Sequence, residues 1–259
     1  MANRKWQKAN AIFLIFALCH LPSAICHAAD LGTISGFVKF PGETPQRDMF
    51  ANASDADCPR GIGQNHLLVK QETLGLQNVL IVLGRRDRRV MPTRLQSELA
   101  LSGCQMVPRI QWAPLGTSLI LVSRDNARHH LHAYRGNNTV FEADISPDTP
   151  PARRPLVIPG LYRINCDRHL WERAWIYVSA HDSVALTDAQ GRFTIKNVPV
   201  GLYRLRAWHE GWQKKSGSRD GRLEFVPIQD SREISVRENE NTEVLFDTLT
   251  SPHEDTPAN

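Results

Sequence analysis

Cys166 and His169, with two residues between them, form the pair of side chains in this chain best placed for chemistry. They follow Gly160-Leu-Tyr-Arg-Ile-Asn-Cys166, which alternates like a strand. Leu161, Arg163 and Asn165 lie on one face, and Tyr162, Ile164 and Cys166 on the other. Residues 174–178 read as a second strand, so the pair falls on the turn between two strands. A thiolate and an imidazole held there can share one metal ion. A second imidazole would complete a set of two nitrogens and one sulfur, the trigonal arrangement that selects copper for electron transfer. Arg128-His129-His130-Leu131-His132 offers that imidazole, directly after residues 118–123, which read as another strand. Taken singly, a cysteine is more often core than ligand, and the histidines more often loop or edge residues. Their combined spacing favours a metal.

The pairing of a strand and a His-rich segment with a later Gly-x-Tyr-x-x-x-Cys-x-x-His resembles the cupredoxins, amicyanin and plastocyanin in particular, over residues 103–178. The resemblance extends to exported cupredoxins of the methylamine-utilisation type. It implies a Greek-key β-sandwich with His129, Cys166 and His169 as equatorial ligands. His129 stands at the start of the segment, with Arg128 and His130 where amicyanin-like proteins have Pro and Asn. The slot of the axial Met holds Glu172. A carboxylate there should lower the reduction potential and favour a more tetragonal copper. Alternatively, Glu172 turns outward to pair with Arg168 or Arg173. The resemblance also implies a solvent edge on His169, with Leu170 and Trp171 as an apolar docking rim for a redox partner protein.

Zinc is the chemical competitor, because His129, Cys166, His169 and Glu172 also make a tetrahedral set it accepts. His132 should point to the face opposite His129 and, with His130, could form a second, weaker metal site. Tyr134 and Trp171 are expected to pack around the site. His209-Glu210 lacks the second His of a zinc-protease motif. The sequence carries no Ser-His-Asp set, phosphate loop or nucleotide fingerprint, so the expectation is a carrier and not an enzyme. Copper storage or delivery, or a non-catalytic envelope-binding module with a zinc or empty site, are the alternatives.

Residues 1–29 read as a cleaved export signal, with Arg4, Lys5 and Lys8 before the apolar run at 11–18 and a cleavage site near Ala28 or Ala29. That run is too short to span a bilayer, so no stable membrane insertion is expected after cleavage. A lipoprotein reading through Cys26 is disfavoured by the bulk of Ile25. Three of the 31 basic residues and none of the 27 acidic ones belong to the leader, so 28 stand against 27 afterwards. The net charge of +4 therefore argues for no nucleic-acid partner. Arg85-Arg86-Asp87-Arg88-Arg89 has no aromatic interleaving and reads as a solvated loop. Asn52 and Asn137 lie in weak glycosylation-like sequons.

Of five cysteines, Cys19 and Cys26 leave with the signal. In the periplasm or outside the cell an odd thiol needs a role. A Cys58–Cys104 disulfide beside a metal-bound Cys166 accounts for all three. The alternative is a free, buried Cys58 or Cys104.

The remaining strands are expected at residues 32–40, 66–70, 77–83 and 106–112, with 95–101 a short strand or one helical turn. Turns are expected at 114–116 and 137–138, and a Pro-rich surface loop at 148–155. Beyond residue 181, Thr187-Asp188-Ala-Gln-Gly191-Arg-Phe193 and Pro199-Val-Gly201-Leu-Tyr203 resemble the carboxypeptidase regulatory-like (transthyretin-like) sandwich, a module usually structural. That family's opening Gly-x-x-x-Gly-x-Val strand is missing before Val184 but present at Gly32-Thr-Ile-Ser-Gly36-Phe-Val38. The chain is thus read as all-β: N-terminal strands at 30–101, a cupredoxin-like block at 102–180, a prealbumin-like sandwich at 181–250 and a tail at 251–259. Either the block is inserted into one sandwich shared by 30–100 and 181–250, or three β units follow one another.

Overall fold

The computed structural model describes residues 30–42, 49–50, 58, 62–63, 66–84, 95–215 and 222–249. The expected export signal, Asn52, the 85–89 charge run and the 251–259 tail lie outside them. The described residues contain strands and no helix, in two sandwiches with separate apolar cores.

In the first sandwich, Leu31–Val38 runs between Arg192–Pro199, to which it is antiparallel, and Asn241–Phe246, to which it is parallel. The opposing sheet has the order Val184–Leu186, Leu80–Gly84, Gly201–His209, Ile228–Val236, all antiparallel. Ile34, Val38 and Phe246 meet Ile81, Leu205 and Val236 in its core. Segments before residue 85 and after residue 183 therefore share one sandwich, and the chain between them leaves it and returns. The Asp188–Gly191 turn shows why the sequence bends there. Asp188 Oδ1 accepts from the backbone N–H groups of Gln190 and Arg192, both at 2.9 Å. Gly191 takes a φ of +79° that a side chain would oppose.

The second sandwich packs a sheet of order Ala152–Pro155, Ser118–Ser123, Gln96–Leu101, Met106–Val107 against one of order Asn138–Ile145, His129–Arg135, Gly160–Cys166, Arg173–Ser179, Ile110–Pro114. Leu99, Leu119 and Leu121 face Leu131, Tyr162, Ile164 and Ile176 across its core. Residues 96–101 are strand and pair in parallel with Ser118–Ser123, so they belong to this sandwich and not to the N-terminal strands.

Four expectations are corrected. The span 106–112 is split into Met106–Val107 and Ile110–Pro114, because Pro108 has no N–H for a ladder. The 148–155 loop ends in an edge strand, Ala152–Pro155, paired with residues 118–121; a proline is tolerated at an edge. The strands expected at 66–70 and 77–83 shorten and shift to Val69–Lys70 and Leu80–Gly84.

The two sandwiches meet through an apolar layer that includes Leu80, Ile110, Trp112, Val184 and Trp208. Trp175 and Trp208 pack edge to face there, with ring centroids 5.1 Å apart. The same junction buries an ion pair: Glu210 accepts from Arg109 Nε and Nη2, both at 2.8 Å, and from Trp175 Nε1 at 3.1 Å.

Candidate metal centre

Strand His129–Arg135 alternates buried and partly exposed positions. His129, Leu131 and Ala133 point into the second sandwich, and His130, His132 and Tyr134 point out of it. Its neighbour Gly160–Cys166 is antiparallel to it, with Leu131 opposite Cys166, so Cys166 arrives on the same inner face as His129. Tyr162 fixes the entry of that strand: its ring is fully buried and its hydroxyl donates to the carbonyl of Ile158, four residues back, at 2.8 Å. Beyond Cys166 the chain turns tightly. Asp167 N–H donates to the His130 carbonyl at 2.8 Å, and Glu172 N–H donates to the His169 carbonyl at 3.0 Å. That closed turn directs His169 and Glu172 inward.

Four donor groups converge as a result. His129 Nδ1 and His169 Nδ1 are 3.1 Å apart. Cys166 Sγ lies 3.5 Å from His169 Nδ1 and 3.9 Å from His129 Nδ1. Glu172 Oε2 lies 2.9 Å from His129 Nδ1 and 3.4 Å from His169 Nδ1. One atom from each residue falls within 4.8 Å of all the others. Donors on one tetrahedral ion, at usual bond lengths, stand about 3.3 Å apart for two nitrogens and about 3.6 Å for nitrogen and sulfur. The cage has nearly those dimensions.

All four side chains are buried, each at most 1 % exposed. His129 Nε2 and Glu172 Oε1 have no hydrogen-bond partner. Orphaned polar atoms in a dry site are costly without a compensating charge. The groups shift one another's proton affinities. Burial opposes charge on His129, but hydrogen bonds with Cys166 and Glu172 outweigh it and raise its pKa to about 9. Burial pushes the Cys166 thiol up, yet hydrogen bonds to the two imidazoles bring it below its ordinary value. The Glu172 carboxyl is likewise pushed up by burial and pulled further down by the same two imidazoles. A cation entering the cage would displace the protons these groups share. The residues present fit a metal ion.

Glu172 therefore faces inward. The outward pairing does not occur, since Arg173 instead donates to Asn165 Oδ1 at 3.0 Å and to the Leu223 carbonyl at 3.3 Å. Nor does His169 have a solvent edge. It is 1 % exposed, because the Cys58–Cys104 disulfide and Trp171 cover it. Cys58 Sγ lies 3.8 Å from His169 Nε2, and the Trp171 ring centroid is 5.1 Å from that of His169. Trp171 Nε1 donates to the Cys104 carbonyl at 2.9 Å, tying cover to loop. The disulfide thus joins the cysteines that compartment and parity paired, and its role as the roof of the centre was not expected. Closing a loop with a sequence separation of 46 contributes roughly 4 kcal/mol as well.

Asp125 is a further addition. Its Oδ2 lies 3.8 Å from His129 Nε2 and accepts from Cys104 N–H at 3.0 Å. At that distance the carboxylate stands behind the ring without a hydrogen bond to it. His130 and His132 stand outside the cage, on the opposite face of the sheet. Tyr134 packs on His132 there, with ring centroids 4.0 Å apart, and so is not beside the cage.

No family model and no curated protein matches the chain. Among solved structures it is similar to a purple cupredoxin from Nitrosopumilus maritimus, at 16 % identity and TM-score 0.29, over 32 % of this chain and 99 % of that one. It is also similar to an amicyanin variant in its reduced state, at 13 % identity and TM-score 0.30, over 35 % of this chain and 86 % of that one. A copper-containing nitrite reductase from Thermus scotoductus SA-01 is similar at 19 % identity and TM-score 0.29, over 35 % of this chain and 23 % of that one. These likenesses span about a third of the chain and bear on no individual residue of the cage.

Proposed function

We propose that this is an exported carrier of a single copper ion, held by His129, Cys166, His169 and Glu172, which passes electrons to and from a partner protein and catalyses no reaction of its own. The observation that carries this reading is the convergence of two imidazole nitrogens, one sulfur and one carboxylate oxygen in a dry cage. Copper supplies one-electron cycling between Cu(I) and Cu(II). The chain supplies ligands fixed by two paired strands and a closed turn, so either state is held with little rearrangement. Glu172 would offer the ion an anionic oxygen, which would favour Cu(II) over Cu(I) and lower the potential. Leu170 and Trp171, both partly exposed, offer the apolar rim for a redox partner. Because His169 is covered, electrons would cross Trp171 or the disulfide sulfur instead of a bare imidazole edge.

Export is supported by the basic-then-apolar leader and by the disulfide, which persists in oxidising compartments. No helix among the described residues is long and apolar enough to cross a membrane. The other sandwich, with its regulatory-like motifs, is proposed as a structural support that packs on the copper-binding one.

Adding one equivalent of Cu(II) to the mature protein should produce an intense thiolate-to-copper absorption band, shifted toward green or red by Glu172, and Cys166→Ala should remove it. A second reading, that the cage holds zinc or stores copper without cycling, is favoured by the inward Glu172: it completes a closed set of two nitrogens, a sulfur and an oxygen. Cyclic voltammetry separates the two, since a stored ion or zinc gives no reversible wave.

A further inference from the structure

The strands that carry His129 and Cys166 inward carry a second set of metal-binding groups outward. His130 and His132 are two residues apart on one face of strand His129–Arg135. Asp144 lies opposite His130, and Glu142 opposite His132, on the neighbouring strand. Asp167, the residue after Cys166, closes the group from the other side.

The hydrogen bonds of this face set the imidazoles for a ligand. His130 Nδ1 and Asp144 Oδ1 are 2.8 Å apart, so the hydrogen bond of this ring is made through Nδ1 and not through Nε2. That Nε2 faces Glu142 Oε2 at 3.6 Å and Asp167 Oδ2 at 3.9 Å, without a hydrogen bond to either. His132 Nε2 lies 2.8 Å from the Thr139 hydroxyl, and its Nδ1 lies 2.8 Å from the Tyr134 hydroxyl. Nδ1 is also 3.4 Å from Asp167 Oδ2. Arg222, itself buried, donates to Asp167 Oδ1 at 3.1 Å, which turns Oδ2 toward the two histidines. An imidazole whose far nitrogen donates to a carboxylate is the usual posture of a ligating histidine. Two imidazoles with carboxylates suit the borderline divalent ions, Cu(II) above Zn(II).

We infer that His130 Nε2, His132 Nδ1 and Asp167 Oδ2, with Glu142 beside them, form a second, solvent-facing site for a borderline divalent cation such as Cu(II). The Tyr134 hydroxyl yields its place on His132 to the ion, and Asp144 acts only through His130. The outer site has no thiolate, so it takes Cu(II) and gives no intense charge-transfer band. His130 and His132 side chains are 32 % and 19 % exposed, so exchange with solvent needs no opening of the fold. Sequence neighbours divide the labour: His129 and Cys166 serve the inner cage, His130 and Asp167 the outer site.

The test is a Cu(II) titration of the mature protein, followed by metal stoichiometry and electron paramagnetic resonance. The expected result is two equivalents bound. One develops the charge-transfer band, and the other adds a nitrogen-coupled resonance without visible intensity. The combined substitution His130→Gln and His132→Gln should lower affinity for the second equivalent at least tenfold and leave the inner band unchanged, which also shows that the variant folds. Cys166→Ala should lose the inner band and still show the outer resonance, so failure of the inner cage and failure of the outer site are read separately. Binding of no ion beyond the inner one, or an outer resonance that survives the double substitution at unchanged affinity, overturns the proposal.

Discussion

Glu210, at the junction of the two sandwiches, and Glu172, in the cage, are both buried carboxylates among ionisable neighbours, and their hydrogen bonding differs sharply. Both oxygens of Glu210 accept, from the two-pronged Arg109 guanidinium and from Trp175. His209 beside it stays neutral: burial lowers its pKa to about 4, and its Nδ1 accepts from Gly211 N–H at 3.0 Å. Glu172 has one oxygen crowded against two imidazole nitrogens and the other without a partner. The first cluster is complete as protein alone and joins two cores. The second has its donor atoms gathered around a common point, the arrangement that a cation resolves. Burial and unusual pKa values do not by themselves mark a functional site; the direction of the donor atoms separates the two clusters.

The largest effect should come from breaking the complete cluster. Arg109→Ala strands Glu210 as a buried, uncompensated charge and should cost on the order of 3–5 kcal/mol in urea denaturation. Replacing Arg109 and Glu210 together by apolar residues should restore much of that loss. Copper binding should survive in the folded fraction of both variants. If Arg109→Ala unfolds no more easily than wild type, the junction pair is not structural.

The cage should respond to a metal as the junction does not. An ion present at a hundredfold excess over its Kd stabilises the folded state by about 2.7 kcal/mol. Thermal denaturation with and without Cu(II) should show that gain in the wild type and lose most of it in Cys166→Ala. A gain of equal size in both would place the stabilising ion elsewhere.

Acid should act through the junction. His209 is held below its ordinary 6.5, at about 4, by burial. Burial pushes Glu210 up, but Arg109 holds it at about 2, below the usual 4.5. In both cases the unfolded chain binds the proton more readily, so stability is full above the unfolded pKa and lost as pH falls. Urea midpoints should decline from about pH 6.5 through His209, and more steeply below about pH 4.5 as Glu210 joins. A midpoint flat from pH 7 to 4 would contradict this.

How much of this was legible in the sequence follows from what spacing encodes. The positions of His129, Cys166 and His169 could be read because strand alternation and a short Cys-x-x-His turn are local properties. The inner placement of Cys166 follows from the same alternation as Tyr162 and Ile164. Cover is not local. The disulfide roof over His169 depends on where residues 58 and 104 meet in space, so the expected solvent edge was absent. Asp125 carries no sequence signal beyond a spacing of four from His129. The orientation of Glu172 was left open because turning inward or outward depends on Arg173, which other partners claim. The first sandwich was legible in part: the Gly-x-x-x-Gly-x-Val strand at residues 32–38 hinted at pairing across 150 or so residues of sequence, whereas the edge strand Ala152–Pro155 was hidden by its prolines.

The smallest effect expected concerns Glu172. Glu172→Met removes the anionic oxygen and should raise the reduction potential and move the absorption toward blue, with the thiolate band retained. An unchanged spectrum and potential would mean that Glu172, though it faces the cage, does not bind the ion.

The central claim is that Cys166 and the two imidazoles bind one ion together. The most direct measurement is the visible absorption of the mature protein after one equivalent of Cu(II), recorded for the wild type and for Cys166→Ala. An intense thiolate-to-copper band in the wild type and none in the variant is the predicted result. Copper bound by the wild type with no such band would contradict it, because Cys166 would then not be a ligand.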